Sequence, residues 1–253
     1  MRNEQTLSKL KEMRLTGMAE LYEEQRNDLS YETLTFEERF NLLVDSEYAR
    51  RRAAQVARFM TVATLSDTTA SVESIEYHAD RRLDKELIVK LSSGVYIEQH
   101  HNVIFMGASG NGKTFLANAL GVQACRQRFK VKYIRLPELI DELALAKHAA
   151  DGSYRKLIKK YTKIDLLILD EWLILPLPVE ESLHVLEIIE ARLKKASTIF
   201  CSQFSPEGWY EKFENPQLAD SILDRIIHDS FSVLVDGEIS MRERHGLKRR
   251  ELS

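Results

Sequence analysis

The spacing of apolar positions changes character near residue 66. Before that point it is helical. In "QTLSKLKEMRLTGMAELYEEQRND", Leu7, Leu10, Leu15, Met18 and Leu21 recur at three- to five-residue intervals, close to one helical face. In "TFEERFNLLVDSEYARRRAAQVARFM", Phe36, Phe40, Leu43, Val44 and Tyr48 make a second apolar stripe, continued by Val56 and Phe59. Thr35, with Glu38 three residues on, forms a capping box that starts this helix. "LSYETL" supplies the turn between the two. Next comes "TVATLSDTTASVES", rich in Thr and Ser and charged only at Asp67 and Glu73. It reads as a linker or a loosely packed crossing segment.

Beyond it, short apolar runs alternate with helix-like stretches. The runs are "NVIFM", "KVKYIR", "DLLILD", "STIFCS" and "SFSVLV". Strands alternating with helices predict parallel βαβ units, hence a five-stranded parallel sheet in a three-layer α/β sandwich. A length of 253 residues accommodates such a domain plus a small appendage. The expected division is a helical domain over residues 1–66 and an α/β domain over 67–253.

The first strand runs into "GASGNGKT", Gly107 to Thr114, a full match to G-x-x-x-x-G-K-[ST]. Backbone N–H groups of Gly107, Ala108, Ser109, Gly110, Asn111 and Gly112 are expected to wrap a triphosphate, and glycine permits the tight turn and close approach. Lys113, Thr114 and Phe115 open the helix whose N-terminus meets the anion. Lys113 is expected on the β- and γ-phosphates and Thr114 on Mg²⁺. "DLLILDE" ends the third strand with two acids. An acid ending a buried strand is costly unless it coordinates something. Asp170 is expected to hold Mg²⁺ and Glu171 to act as the general base for the attacking water.

Two look-alikes fail on position. "TKID" at Thr162–Asp165 resembles the guanine-reading motif of GTPases, but it precedes a strand instead of following one. "LSSGV" at Leu91 resembles the ABC-transporter loop, but it precedes the phosphate loop, and it reads better as a helix ending at Gly94. His100 and His101 have no partner at metal spacing and read as residues at the start of a strand.

Composition narrows the class. No run of 18 apolar residues occurs, so no transmembrane helix is expected. The N-terminal stretch lacks an apolar signal core. Cys125 and Cys201 sit in apolar surroundings and read as reduced core thiols, which points to a cytoplasmic protein. The net charge of −3 is not that of an obvious nucleic-acid binder, so local clusters matter more than the sum. Arg50, Arg51 and Arg52 run together, with Arg58 two turns on. "SYRKLIKKYTK" holds Arg155, Lys156, Lys159, Lys160 and Lys163, and Lys248, Arg249 and Arg250 form a third cluster. Such clusters suit phosphate neutralisation, and no base-reading motif accompanies them, so non-specific duplex DNA is the expected partner.

The phosphate loop, "DLLILDE", "ASTIFCSQFSPEGWYEKF" and "NPQLADSILDRIIHDS" follow one another as in AAA+ ATPases of the IstB/DnaC type. "LSKLKEMRLTGMAELYEEQ" and "FNLLVDSEYARRRAAQVARF" make the chain similar specifically to the IstB family, the ATP-binding helpers of IS21-family insertion sequences. The resemblance covers nearly the whole chain. It implies a sensor 1 group on the fourth strand, Gln203 preferred over Ser202. It implies an arginine finger at Arg225 that completes a neighbouring subunit's site, and a sensor 2 arginine at Arg242. It therefore implies ATP sites at the interfaces of a homo-oligomer, with DNA and a transposase as partners. A DnaC-type replicative helicase loader is the alternative, and a scaffold with vestigial hydrolysis a third. The family often has Gly-Tyr soon after the two acids; this chain has "DEWLILPLP", which puts the shape of that loop in question.

Overall fold

The computed structural model describes residues 2–246, so the cluster Lys248, Arg249 and Arg250 lies outside the described residues. Two compact units emerge, Met1–Arg58 and Phe59–Ser253. The first contains α1 (Arg2–Glu12), α2 (Thr16–Asn27), a 3₁₀ turn at Leu29–Thr33 and most of α3 (Phe36–Ala63). The expected capping box is present, with Glu38 accepting from the Thr35 N–H at 2.7 Å and Thr35 Oγ1 accepting from the Glu38 N–H at 3.3 Å.

Small and polar residues hold this unit together. The N-terminus of α2 meets α3 at Gly17, where an added Cβ would come within 3.1 Å of Glu47. The buried Glu47 carboxylate accepts from the Gly17 N–H at 2.8 Å and the Met18 N–H at 3.3 Å, so it satisfies two of the orphan donors of α2. Gln25 Nε2 donates to the Arg39 carbonyl at 3.0 Å. Of the stripe Phe36, Phe40, Leu43, Val44 and Tyr48, Leu43 is half-buried, but the other four are 83%, 47%, 43% and 60% exposed and do not form a core. The reason is rotational. The face of α3 turned to α2 is the adjoining one, carrying Arg39, Ser46 and Glu47.

The second unit contains α4 (Lys85–Ser92), α5 (Val95–Glu98), β1 (Asn102–Met106), α6 (Lys113–Arg126), β2 (Val131–Arg135), α7 (Leu136–His148), α8 (Ser153–Thr162), β3 (Leu166–Asp170), α9 (Val179–Arg192), β4 (Ser197–Ser202), α10 (Pro206–Trp209), α11 (Pro216–Ile227), β5 (Ser230–Leu234) and α12 (Met241–Arg244). The five strands pair in parallel in the order β2-β3-β4-β1-β5. The central strands β3 and β4 are buried along their whole length, as a sheet covered on both faces requires, whereas the edge strands β2 and β5 are only partly buried. Alternate residues enter opposite cores. Val103, Phe105, Ile168 and Ile199 pack with α4, α5 and α6, while Ile104, Leu167, Leu169 and Phe200 pack with α7, α8, α9 and α11. The result is the three-layer sandwich.

Residues 61–74 do not form a loose linker. Ala63, Leu65 and Ala70 are buried in the core beneath α6, and Gly121 of α6 leaves the room that Leu65 occupies. Asn118 of α6 donates to Ser66 Oγ at 2.8 Å and accepts from the Asp67 N–H at 3.3 Å. The Thr and Ser content that suggested flexibility supplies turn bonds instead: Asp67 Oδ1 accepts from the Thr69 N–H and hydroxyl at 2.9 and 2.7 Å.

Candidate nucleotide-binding site

The strand order brings the chemistry together. The chain leaves β1, crosses over β4 and β3 to reach β2, and returns, so the C-terminal ends of β1, β4 and β3 stand side by side. Open parallel sheets bind ligands at such a reversal of strand order. A cavity of about 420 Å³ opens there, lined by Ser109, Gly110, Gly112, Lys113, Thr114 and Phe115 from the loop, and by Asp170, Glu171 and Gln203 from the neighbouring strand ends.

The loop's conformation needs its glycines. Gly107 has φ +145, and a Cβ there would sit 2.1 Å from the Val235 carbonyl oxygen, because β5 runs alongside. Gly112 has φ +93 and introduces α6. Lys113 is buried, and its ammonium donates to the Gly107 and Ala108 carbonyls at 2.7 and 2.9 Å. Burial is the main cause holding its pKa below that of a free lysine. Asn111 is buried and reaches the Val235 carbonyl at 3.4 Å.

Thr114 Oγ1 donates to Asp170 Oδ2 at 2.7 Å across the cavity floor. A second donor, the Tyr133 hydroxyl on β2, reaches the same oxygen at 2.8 Å. Asp170 Oδ1 accepts from the Glu171 N–H at 2.8 Å. The Glu171 side chain is partly exposed and stands 3.7 Å from the Arg135 guanidinium, which also binds Glu138. β2 thus supplies a partner to each of the two acids. A hydroxyl and a carboxylate 2.7 Å apart make an all-oxygen donor set, which fits Mg²⁺.

Glu171 and Leu173 both have left-handed backbones, φ +54 and +53. Leu173, in the loop after the two acids, takes the conformation that favours glycine. Its buried side chain joins Trp172 in the lower core, where Trp172 packs edge-on against Phe200 and Trp209. Core packing offsets the strain, and the loop keeps its sharp turn.

Ser202 and Gln203 separate cleanly. Ser202 is buried, donates to the Trp172 carbonyl at 2.9 Å and accepts from Trp209 Nε1 at 2.9 Å. Gln203 is exposed and lines the cavity. Arg242 on α12 also lines it, with Met241 and His245, and the Met241 N–H donates to the Gly110 carbonyl at 2.9 Å. Arg225 is elsewhere. It lies at the opposite end of the sheet, near His100, Asn102 and Thr198 at the strand starts, and pairs with Glu190 at 3.1 Å. Asp165 of "TKID" is also at that end, accepting from the Lys130 N–H at 2.7 Å. His101 pairs with Asp229 at 2.5 Å at the start of β1.

The basic clusters differ in commitment. Arg50 pairs with Glu20 at 3.0 Å, and Arg51 pairs with Glu47 at 2.6 Å while donating to the Arg14 carbonyl. Arg155, Lys156, Lys159, Lys160 and Lys163 on and after α8 are exposed and make no ion pair among the described residues.

Sequence reading missed Tyr133, Arg135 and Arg81. Arg81 donates to the Asn111 carbonyl of the phosphate loop at 2.9 Å. None of the three belongs to a motif. Only the β2–β3 register, which sets Arg135 opposite Asp170, exposes the first two.

The model of the IstB-like ATP binding protein family matches residues 8–249. An insertion-sequence ATP-binding protein of Sinorhizobium fredii, y4pL, is 38% identical over 239 residues, covering 94% of this chain and 96% of that protein. The IS1162 ATP-binding protein of Pseudomonas fluorescens is 39% identical over 80% of this chain and 87% of its own length. Among solved structures, AMPPCP-bound DnaA from Aquifex aeolicus superposes with a TM-score of 0.58 at 20% identity, over 75% of this chain and 57% of the DnaA chain. The DnaC helicase loader gives 0.53 at 14% identity, over 66% of this chain and 97% of its own. These two likenesses establish the AAA+ fold. With a complete phosphate loop, a facing acid pair and a family match across nearly its whole length, the chain belongs to the IstB-like ATP-binding proteins of insertion sequences.

Proposed function

We propose that the chain is an ATP-hydrolysing helper of transposition, whose ATP-bound subunits assemble on duplex DNA and recruit the transposase of their insertion sequence. One observation carries the reading: in a chain of this family, Lys113 and Thr114 face Asp170 and Glu171 in a single cavity. Lys113 binds the β- and γ-phosphate oxygens. Thr114 and Asp170 would hold Mg²⁺, which when bound neutralises charge that builds on the phosphate oxygens. Glu171 accepts a proton from the water that attacks the γ-phosphorus, and the bond to the β-phosphate oxygen breaks to release ADP. Gln203 orients the γ-phosphate or the water, and Arg242 reaches the phosphates from α12. Arg225, at the far end of its own sheet, serves a neighbouring subunit, so hydrolysis reports assembly.

DNA contact is assigned to α8 before Arg50–Arg52, since the α8 cations make no ion pair among the described residues and Arg50 and Arg51 do. A modest patch repeated along an oligomer sums to a strong, sequence-independent grip. The helical unit, Met1–Arg58 rather than the expected 1–66, adds partner and DNA contacts, and Phe59–Ser253 forms the ATPase unit. The test is particle size on duplex DNA with a non-hydrolysable ATP analogue. Growth that requires both ligands supports the reading; a monomer under all conditions overturns it. Replacing Lys156 and Lys159 with Glu is expected to lower the salt slope of DNA binding by about two units. Co-purification with a replicative helicase and not with a transposase would favour the loader alternative.

A further inference from the structure

We propose that Tyr133 is a positioning residue for the metal-facing carboxylate of Asp170, and that it sets the Mg²⁺ requirement of nucleotide binding. The inference rests on the assignment of Asp170 to Mg²⁺ made above and extends it to residues that no motif contains.

The observation is a pair of hydrogen bonds that meet on one carboxylate oxygen. Thr114 Oγ1 donates to Asp170 Oδ2 at 2.7 Å, and Tyr133 donates to the same oxygen at 2.8 Å. The Ser66 hydroxyl stands within hydrogen-bonding reach of the Tyr133 oxygen. Asn118 donates to Ser66 Oγ at 2.8 Å and to the Thr114 main-chain carbonyl at 2.7 Å. Asp170 is therefore held from behind by the Tyr133 side chain, while Asn118 ties the backbone of Thr114 to Ser66.

The chemistry requires such support. A carboxylate at a strand end can turn about two side-chain bonds, and Mg²⁺ accepts only near-octahedral geometry. Groups that hydrogen-bond a metal-binding carboxylate aim it, and their loss typically lowers metal affinity about 10–100-fold. Tyr133 is suited to this because its hydroxyl rides on β2, whose pairing with β3 fixes its distance from Asp170. Among the described residues the Tyr133 hydroxyl donates to no other acceptor than Asp170. Thr114 can keep its proton on Asp170 and still offer oxygen lone pairs to a cation. Tyr133 is thus the donor that does not have to share itself with the metal.

The experiment measures binding of AMPPCP to the full chain by calorimetry, first in EDTA and then across a Mg²⁺ series. Tyr133→Phe removes one oxygen and keeps the ring. The expected result is an EDTA affinity within about twofold of wild type and a Mg²⁺ concentration for half-maximal tightening raised about tenfold or more. Ser66→Ala is expected to shift it in the same direction by a few fold, and it decides the matter alone if Tyr133→Phe does not fold. An unchanged Mg²⁺ requirement in Tyr133→Phe, beside a raised one in Asp170→Asn, overturns the proposal and leaves the metal assignment standing. Equal losses of affinity with and without Mg²⁺ also overturn it, since that is a structural tie only. An unchanged Mg²⁺ requirement in Asp170→Asn removes the metal assignment itself.

Discussion

The two units of this chain are stabilised in opposite ways. The α/β unit places its polar chemistry at the ends of strands that are wholly apolar and wholly buried; β3 is buried at every position up to and including Asp170. The helical unit has a single fully buried hydrophobic residue, Ala19, among its described side chains; Phe36, Phe40, Val44 and Tyr48 face outward, and Leu10, Leu15, Met18 and Leu21 are only half-buried. Its contacts are backbone proximity at Gly17 and a carboxylate network at Glu47. A rigid apolar scaffold suits a site that must hold several groups to within an ångström. The unit held by polar capping leaves Phe36, Phe40, Val44 and Tyr48 unburied.

Substitutions can break this contrast or sharpen it. The largest effect is expected at Lys113. Lys113→Ala removes the only lysine of the phosphate loop and should abolish measurable ATP binding and ATP-dependent assembly, while circular dichroism stays unchanged; assembly at wild-type levels would remove the loop from its role. Glu171→Gln comes next. Turnover should fall about 10²–10⁴-fold with nucleotide affinity retained, because the proton acceptor is lost and the binding groups remain. An ATP-bound oligomer should then accumulate on DNA. Normal turnover in steady-state assays would free Glu171 of the base role.

Arg192 tests the scaffold. It is 2% exposed, and burial pulls its pKa down to about 9, so it stays charged at neutral pH. Its guanidinium donates to the Tyr161, Ile164 and Ser197 carbonyls and to Thr198 Oγ1, tying α9 to the end of α8 and the start of β4. Arg192→Leu leaves those acceptors unpaired and should cost about 2–4 kcal/mol. Hydrogen exchange should show the loss in α8 and β4 and not in α2. Glu47→Gln is the smallest change and the mirror of the last. It should cost the helical unit about 1–2 kcal/mol and leave the sheet's protection untouched. Hydrogen bonding to Arg51, and then to the Gly17 and Met18 N–H groups, holds the Glu47 pKa below the ordinary carboxylate value. Its contribution is therefore complete above the unfolded value of about 4.3 and is lost as pH falls through the lower folded value. Acid titration should loosen α2 in the wild type and have little further effect in Glu47→Gln.

All five strands appear where the sequence reading expects them, to within one residue at each end; the central β3 and β4, buried on both faces, leave the clearest apolar runs, and the part-buried edge strands β2 and β5 are mixed. The segment after α3 departs from the expected linker. Thr and Ser are as common in turns fixed by side-chain bonds as in free linkers, and only Leu65 filling the space over Gly121 tells them apart. The α3 stripe was found at the right spacing, but periodicity reports that a face exists and not what covers it.

By itself the sequence determined the phosphate loop, the acid pair, the parallel α/β class and the family, since each depends on residues close together in the chain and on local backbone geometry. Only the tertiary structure decided which of two adjacent polar residues faces the cavity: Ser202 is spent on Trp172 and Trp209, and Gln203 is not. Only it set Arg225 at the far end of the sheet, and only it brought Tyr133 behind Asp170. Those juxtapositions come from strand order and register, which join residues dozens of positions apart, and no local pattern encodes such a pairing.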